Sequence, residues 1–337
     1  MQIVLVVCII CIFIIPMSVA GQILSPDRLD LINRGMASML GGHWQEAYDT
    51  FSELHLTDSN NPAGYLFRAG VLQAEMIDRE ENLYSKELKA LLDSVEMYTE
   101  ERMKLCSRED SAIYYLYLGH AYAYRSLREA RFGSKLSALS DGFKAKGRYM
   151  DGLKTDSTLH DLFLGLGSYH YWKTVKAGIL RTFGIFKNDR QKGIDEIQLA
   201  AESSLFSKDA AQSALIWIMI NDKEYDTAIE MSKTMIKKYP DALSFYWPLA
   251  QSYYRNENYE KASDIYRIIL DRQKQAPGNY YNLIEAVHGL YFALDKSGEN
   301  GKAYSVLQYL DSVYTDIPKN TRHEQRSKLW SLRRRGR

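Results

Sequence analysis

Cysteine is nearly missing from this chain. The 337 residues hold 3, and two of them, Cys8 and Cys11, lie in an N-terminal apolar run, which leaves Cys106 alone in the remainder. A lone cysteine forms no internal disulfide and supplies no Cys-rich zinc site, so a small buried apolar role is expected for it. Proline is scarce too, 7 in all, and long stretches are therefore free of the residue that most reliably breaks helices. There is no surplus of charge of either sign: 43 Lys and Arg face 42 Asp and Glu. That balance speaks against a nucleic-acid-binding surface, which needs a net basic excess to neutralise phosphates. No H-E-x-x-H pair, Gly-x-Ser-x-Gly elbow or Lys-Ser/Thr phosphate loop occurs. The histidines, His43, His55, His120, His160, His170, His288 and His323, stand beside no Cys pair and no paired carboxylate at ligand spacing. Neither a metal nor a cofactor is expected. Acidic runs at 78–81 and at Glu100-Glu101 read as solvated helix faces rather than acid/base pairs.

The N-terminus lacks a Lys or Arg ahead of its apolar run, which Pro16 closes before Met17-Ser18-Val19-Ala20 and Gly21. The run falls short of the roughly 18 to 20 residues a spanning helix needs, and Ser18 and Ala20 satisfy the small-residue requirement of signal cleavage. Residues 1–20 are therefore expected to be a secretory signal, with the mature chain starting at Gly21; the alternative is an uncleaved N-terminal anchor. Neither Cys8 nor Cys11 lies in the small-residue setting of a lipoprotein signal.

What is present in quantity is a repeat. Asn221-Asp222-Lys223-Glu224-Tyr225-Asp226-Thr227-Ala228 is echoed by Asn256-Glu257-Asn258-Tyr259-Glu260-Lys261-Ala262, and Ala228 to Ala262 is 34 residues. Small or apolar residues at Gly35, Gly70, Gly119, Gly167, Ile216, Ala250 and Tyr291 recur at spacings of 35, 49, 48, 49, 34 and 41. Three consecutive units are thus enlarged by about 14 or 15 residues, enough for roughly four further helical turns or a short extra helix. The pattern Tyr246, Leu249, Ala250, Tyr253, Tyr259, Ala262, Tyr266, with Pro240 closing the unit before, resembles the tetratricopeptide repeat family. Tyr115, Leu118, Gly119 and Tyr122 repeat part of it, as do Gly35, Gly42, Trp44, Ala47 and Phe51. Ser232 and Gly193 stand where the family has an apolar residue and alanine. The resemblance implies an all-α, right-handed α-solenoid of about seven helix pairs over 21–315, its middle units enlarged, with a concave face that binds proteins or peptides.

Two segments invite sharper readings. Gly165-Leu166-Gly167-Ser168-Tyr169-His170 carries a Gly-x-Gly before Ser and His, yet it lies in a helix-periodic stretch and follows no strand, so its glycines are expected at close helix contacts. The apolar stretch 175–189 either packs across the neighbouring pair or presents Leu180, Phe183 and Phe186 to a membrane or partner. Residues 316–337, ending in Arg333-Arg334-Arg335-Gly336-Arg337, read as a basic, partly helical tail with an optional electrostatic contact to anionic lipid or an acidic partner.

From the resemblance, the positions one, five, eight and nine residues after the first aromatic of each unit line the concave side. They are Leu116, His120, Ala123 and Tyr124; Leu164, Ser168, Tyr171 and Trp172; Ser213, Trp217, Ile220 and Asn221; and Trp247, Gln251, Tyr254 and Arg255. Aromatic anchors beside polar groups are the composition of a binding hot spot, and the alternative is that these aromatics only pack between repeats. The function expected is a non-enzymatic interaction scaffold of a bacterial cell envelope, periplasmic or secreted. The rival is an enzyme or small-ligand binder with His120, His170 and nearby tyrosines in an all-helical cleft. A long open groove favours the first and a pocket of perturbed titratable groups the second.

Overall fold

The computed structural model describes residues 24–108, 110–176, 188–275 and 278–335, so residues 1–20, expected to be a signal, and Leu180, Phe183 and Phe186 lie outside the described residues. Among the described residues the chain is all-helical, with no strand. The helices are α1 (Pro26–Leu40), α2 (Trp44–Thr57), α3 (Pro62–Arg79), α4 (Ser85–Met103), α5 (Ser111–Phe132), α6 (Lys135–Thr155), α7 (Leu162–Lys176), α8 (Arg190–Ser203), α9 (Lys208–Asn221), α10 (Tyr225–Lys238), α11 (Leu243–Arg255), α12 (Tyr259–Gln275), α13 (Tyr280–Lys296), α14 (Asn300–Val313), α15 (Lys319–Glu324) and α16 (Arg326–Arg335).

Local chemistry sets several of the boundaries. Ser25 and Asn61 cap α1 and α3 through their side chains, each followed by proline in the first helical turn, where a missing N–H costs nothing. Four pairs share one turn. At 41–43, 222–224, 256–258 and 297–299 the middle residue is left-handed, with φ of 82° at Gly42, 68° at Lys223, 59° at Glu257 and 83° at Gly298. In each, the N–H groups of that residue and of the next return to carbonyls three and five residues back, as from Glu257 to Tyr254 and Asn258 to Tyr253. This shared turn is the physical content of the sequence echo between the segments at 221 and 256.

The helices pack in adjacent pairs, and each helix from α1 to α15 packs most extensively on a chain neighbour. Gly35, Gly70, Gly119, Gly167, Ile216, Ala250 and Tyr291 lie on α1, α3, α5, α7, α9, α11 and α13. The surplus residues of the second and third of these units lengthen the helices themselves: α3 to α6 run 18, 19, 22 and 21 residues, against 15 and 14 in α1 and α2. Helices α7 and α8 have 15 and 14 residues, and the surplus of that unit lies between Lys176 and Arg190, mostly outside the described residues.

Odd-numbered helices touch one another in succession from α1 to α11. The row curls back on itself. Leu40 of α1 packs against the cluster of Ile216, Tyr239 and Phe245, and α13 reaches α3, where Asn282 Nδ2 donates to the Asp78 carbonyl at 2.8 Å. The expectation of a tail after 315 needs correction. Residues 319–335 form α15 and α16, and α16 packs on α13 with Leu332 and Leu329 buried. Lys328 and Gln325 both hold Glu285. The reason is the apolar pair Leu329 and Leu332 at helical spacing, a signal that the surrounding arginines obscure.

Candidate functional site: two chambers on the inner side

Tyr149 of α6 organises the first chamber. Its ring is buried between Gly119 of α5 and Gly165 of α7; a Cβ at either glycine would stand 2.4 or 2.3 Å from that ring. Here the glycines make room for an aromatic from the next helix, which is the close-packing role expected of them. The Tyr149 hydroxyl lies 2.7 Å from His120 Nδ1, and Tyr124 stacks on His120 with centroids 6.1 Å apart. Around this core, α1, α3, α5, α6, α7 and the start of α9 enclose a cavity of about 610 Å³. Met36, Met39, Phe67, Leu127, Leu164 and Phe206 supply apolar walls; His120, Tyr124, Ser168, Tyr169, Trp172, Lys146 and Lys176 supply the polar atoms.

Burial governs the titration here. It pushes His120 down to about 4 and Tyr124 up to about 12, because a low-dielectric wall disfavours the charged form of each. The His120 shift carries a pH prediction. Between the usual imidazole value of 6.5 and about 4, the unfolded chain binds a proton that folded His120 refuses. Stability is therefore expected to fall as pH is lowered through that window, with His288, also held near 4, contributing to the same slope. Melting temperatures measured from pH 7 to 4.5 check this, and His120→Gln is expected to flatten the slope; an unchanged slope would place the lost protons elsewhere.

A second cavity of about 650 Å³ lies beside the first, along the same helices. Leu127 and Ala210 line the first chamber, while Arg131 and Ser213, one turn further along α5 and α9, line the second. Its walls come from the ends of α3 and α5, from α9, α11, α12 and α13, and from Lys328 of α16.

Of the residues expected on the concave side, His120, Tyr124, Ser168 and Trp172 meet in the first chamber, and Trp217, Trp247 and Gln251 in the second. Tyr171, Asn221, Tyr254 and Arg255 line neither of these two cavities. Tyr171 is fully buried, and its hydroxyl bonds Asp222 and accepts from Asn221 Nδ2 at 2.7 Å, which occupies Asn221 as well. For this residue the packing alternative holds. Tyr254 sets its ring edge-on to Tyr259 at 5.4 Å, and Arg255 is exposed at the end of α11. Tyr171 and Tyr254 share the eighth position, which at 100° per residue falls at the edge of the expected face. His170 is equally withdrawn, buried against Glu196 with 2.6 Å between Nδ1 and Oε2.

Sequence reasoning did not single out Met36, Met39 and Phe206 in the first chamber, nor Arg131, Glu285 and Lys328 in the second. They arrive through the curl of the row, for which no local pattern exists. Tyr149 was findable, as an aromatic on the second helix of a pair whose first helix offers glycine. Among the described residues, no three or more His, Cys, Asp or Glu side chains are grouped to hold a metal, and no helix is long and apolar enough to cross a membrane. Compared with known proteins, the chain matches no family model and no curated relative.

Proposed function

We propose that this chain is a non-catalytic interaction protein of the bacterial cell envelope, built as a tetratricopeptide-like α-solenoid of seven helix pairs. Its mature form starts at Gly21, and it takes an apolar anchor of a protein or peptide partner into the first chamber. One observation carries the choice of partner: the chamber continues into an exposed apolar stripe on α6. Gly142, Ala145, Lys146 and Tyr149 face the cavity. On the adjoining flank of the same helix, Leu136, Leu139 and Phe143 are 81%, 57% and 49% exposed. An amphipathic helix ordinarily turns such residues inward, and cavity and stripe together offer more apolar surface than a ligand confined to the cavity covers. Trp172 and Tyr124 in the chamber are the anchor-contacting aromatics of this reading.

A second reading, an apolar small molecule alone, is favoured by one feature. The contact of α13 with α3 closes the row, and 610 Å³ falls within the usual range for a small-ligand pocket. Capture from the native envelope with the mature chain as bait separates the two. Trp172→Ala and Phe143→Asp, each folded by circular dichroism, are both expected to lose the partner. If an apolar fluorescent probe such as anilinonaphthalene sulfonate is lost only with Trp172→Ala, and no protein is captured in a Phe143-dependent way, the small-molecule reading replaces the first.

A further inference from the structure

The second chamber has a different chemistry from the first, and its formal charges are already answered from within. Glu80 pairs with Arg131, and Glu285 pairs with Lys328 while accepting from Gln325 Nε2 at 2.7 Å. Asp78 accepts from Asn279 and Asn282, and burial raises its carboxyl above the usual range. His288 is held neutral by burial and by the Lys328 cation. A charged ligand would have to break one of these pairs, leaving a partly buried charge uncompensated. What remains available is uncharged. Among the described residues Gln251, Ser213 and Ser244 have no side-chain hydrogen-bond partner, and an amide or a hydroxyl both donates and accepts. Beside them stand two indoles, Trp247, edge-on to Tyr266 at 6.4 Å, and Trp217, which remains 39% exposed although it lies mid-helix on α9.

A ligand matched to these groups is neutral, has an apolar face for indole, and carries hydroxyls that donate and accept. A pyranose ring has all three: its C–H faces are apolar and weakly electropositive, suited to the negative face of an aromatic ring, and its rim is hydroxylated. We propose that the second chamber is a carbohydrate-binding site for a neutral glycan, with sugar rings against Trp217 and Trp247 and hydroxyls on Gln251, Ser213 and Ser244. The site is separate from the apolar anchor site, since the two chambers share no lining residue.

The test is calorimetric titration of the mature chain with cellotriose, maltotriose, mannotriose and tri-N-acetylchitotriose, with trigalacturonate as the anionic control. At least one neutral trisaccharide is expected to bind with one site per chain, and better than trigalacturonate. Trp217→Ala and Trp247→Ala should each weaken it about tenfold. Gln251→Ala, which removes hydrogen bonds and leaves the ring packing intact, should weaken it about fivefold. Trp172→Ala, in the other chamber, should leave it unchanged, so failure of the apolar-anchor reading and failure of this one are distinguishable. The proposal is overturned if the folded chain binds none of the four neutral trisaccharides at millimolar concentration. It is equally overturned if trigalacturonate binds best, or if affinity survives Gln251→Ala and both tryptophan changes.

Discussion

Asp161→Ala is expected to cost about 4 kcal/mol of folding stability, because it strips the partner from three backbone donors at once, two of them buried and the third partly buried. Asp161 is fully buried just ahead of α7, and its carboxylate accepts from the N–H groups of Leu205, Phe206 and Ser207 at 2.8, 3.2 and 3.0 Å. Those donors precede α9, so one side chain ties the start of the fourth pair to the start of the fifth. A buried donor left without a partner costs about 1 to 3 kcal/mol, and removing the carboxylate returns part of the sum by relieving its own desolvation. Asp161→Asn keeps one acceptor oxygen and is expected to fall between alanine and the native chain. Urea denaturation of the three proteins decides the matter: a loss under about 1 kcal/mol for Asp161→Ala would mean that water replaces the carboxylate freely.

The second large effect is expected at Gly193→Ala, about 3 kcal/mol destabilising, at the upper end of the cost of overpacking. A Cβ there would stand 2.7 Å from the Gly167 carbonyl oxygen and 2.7 Å from the Tyr171 nitrogen, and a Cβ at Gly167 would meet the Gly193 oxygen at 2.7 Å. Helices α7 and α8 thus touch backbone to backbone. A side chain in the way can rotate, whereas a backbone oxygen moves only with its helix. In an exposed helix interior the same change would stabilise by about 1 kcal/mol through propensity, so the two outcomes differ in sign. A melting temperature at or above that of the native chain would show that α7 and α8 separate without cost. The glycine where the repeat pattern has alanine is explained by this contact.

Much of the architecture was legible, and particular residues show how. The echo of Asn221 to Ala228 in Asn256 to Ala262 marks a left-handed turn residue at Lys223 and Glu257, followed by helices whose buried faces hold Ala228 and Ala262. Gly165 and Gly167 read as close-packing positions and are found against Tyr149 and Gly193. The basic end misled, since four arginines outweigh two leucines in any local count although Leu332 is fully buried. Of the residues expected to face a partner, Tyr171 turned out to be spent on Asp222 and Asn221; its position at the edge of the helical face allows either outcome, and the neighbouring helix chose.

By itself the sequence determined that the chain is helical, where most of its helices turn, and that they associate as adjacent pairs. Those properties follow from residues within a few positions of one another, through helical periodicity, caps and turn dihedrals. Only the tertiary structure decided that His120, Trp172 and Met36 share one chamber, and that Trp217 and Trp247 stand with Glu285 and Lys328 in another. Packing between elements far apart in the chain brings α13 to α3 and Leu40 to the cluster that holds Phe245. A sum over many packing contacts is encoded in no single stretch of chain, so the inner surface it creates has no local signature.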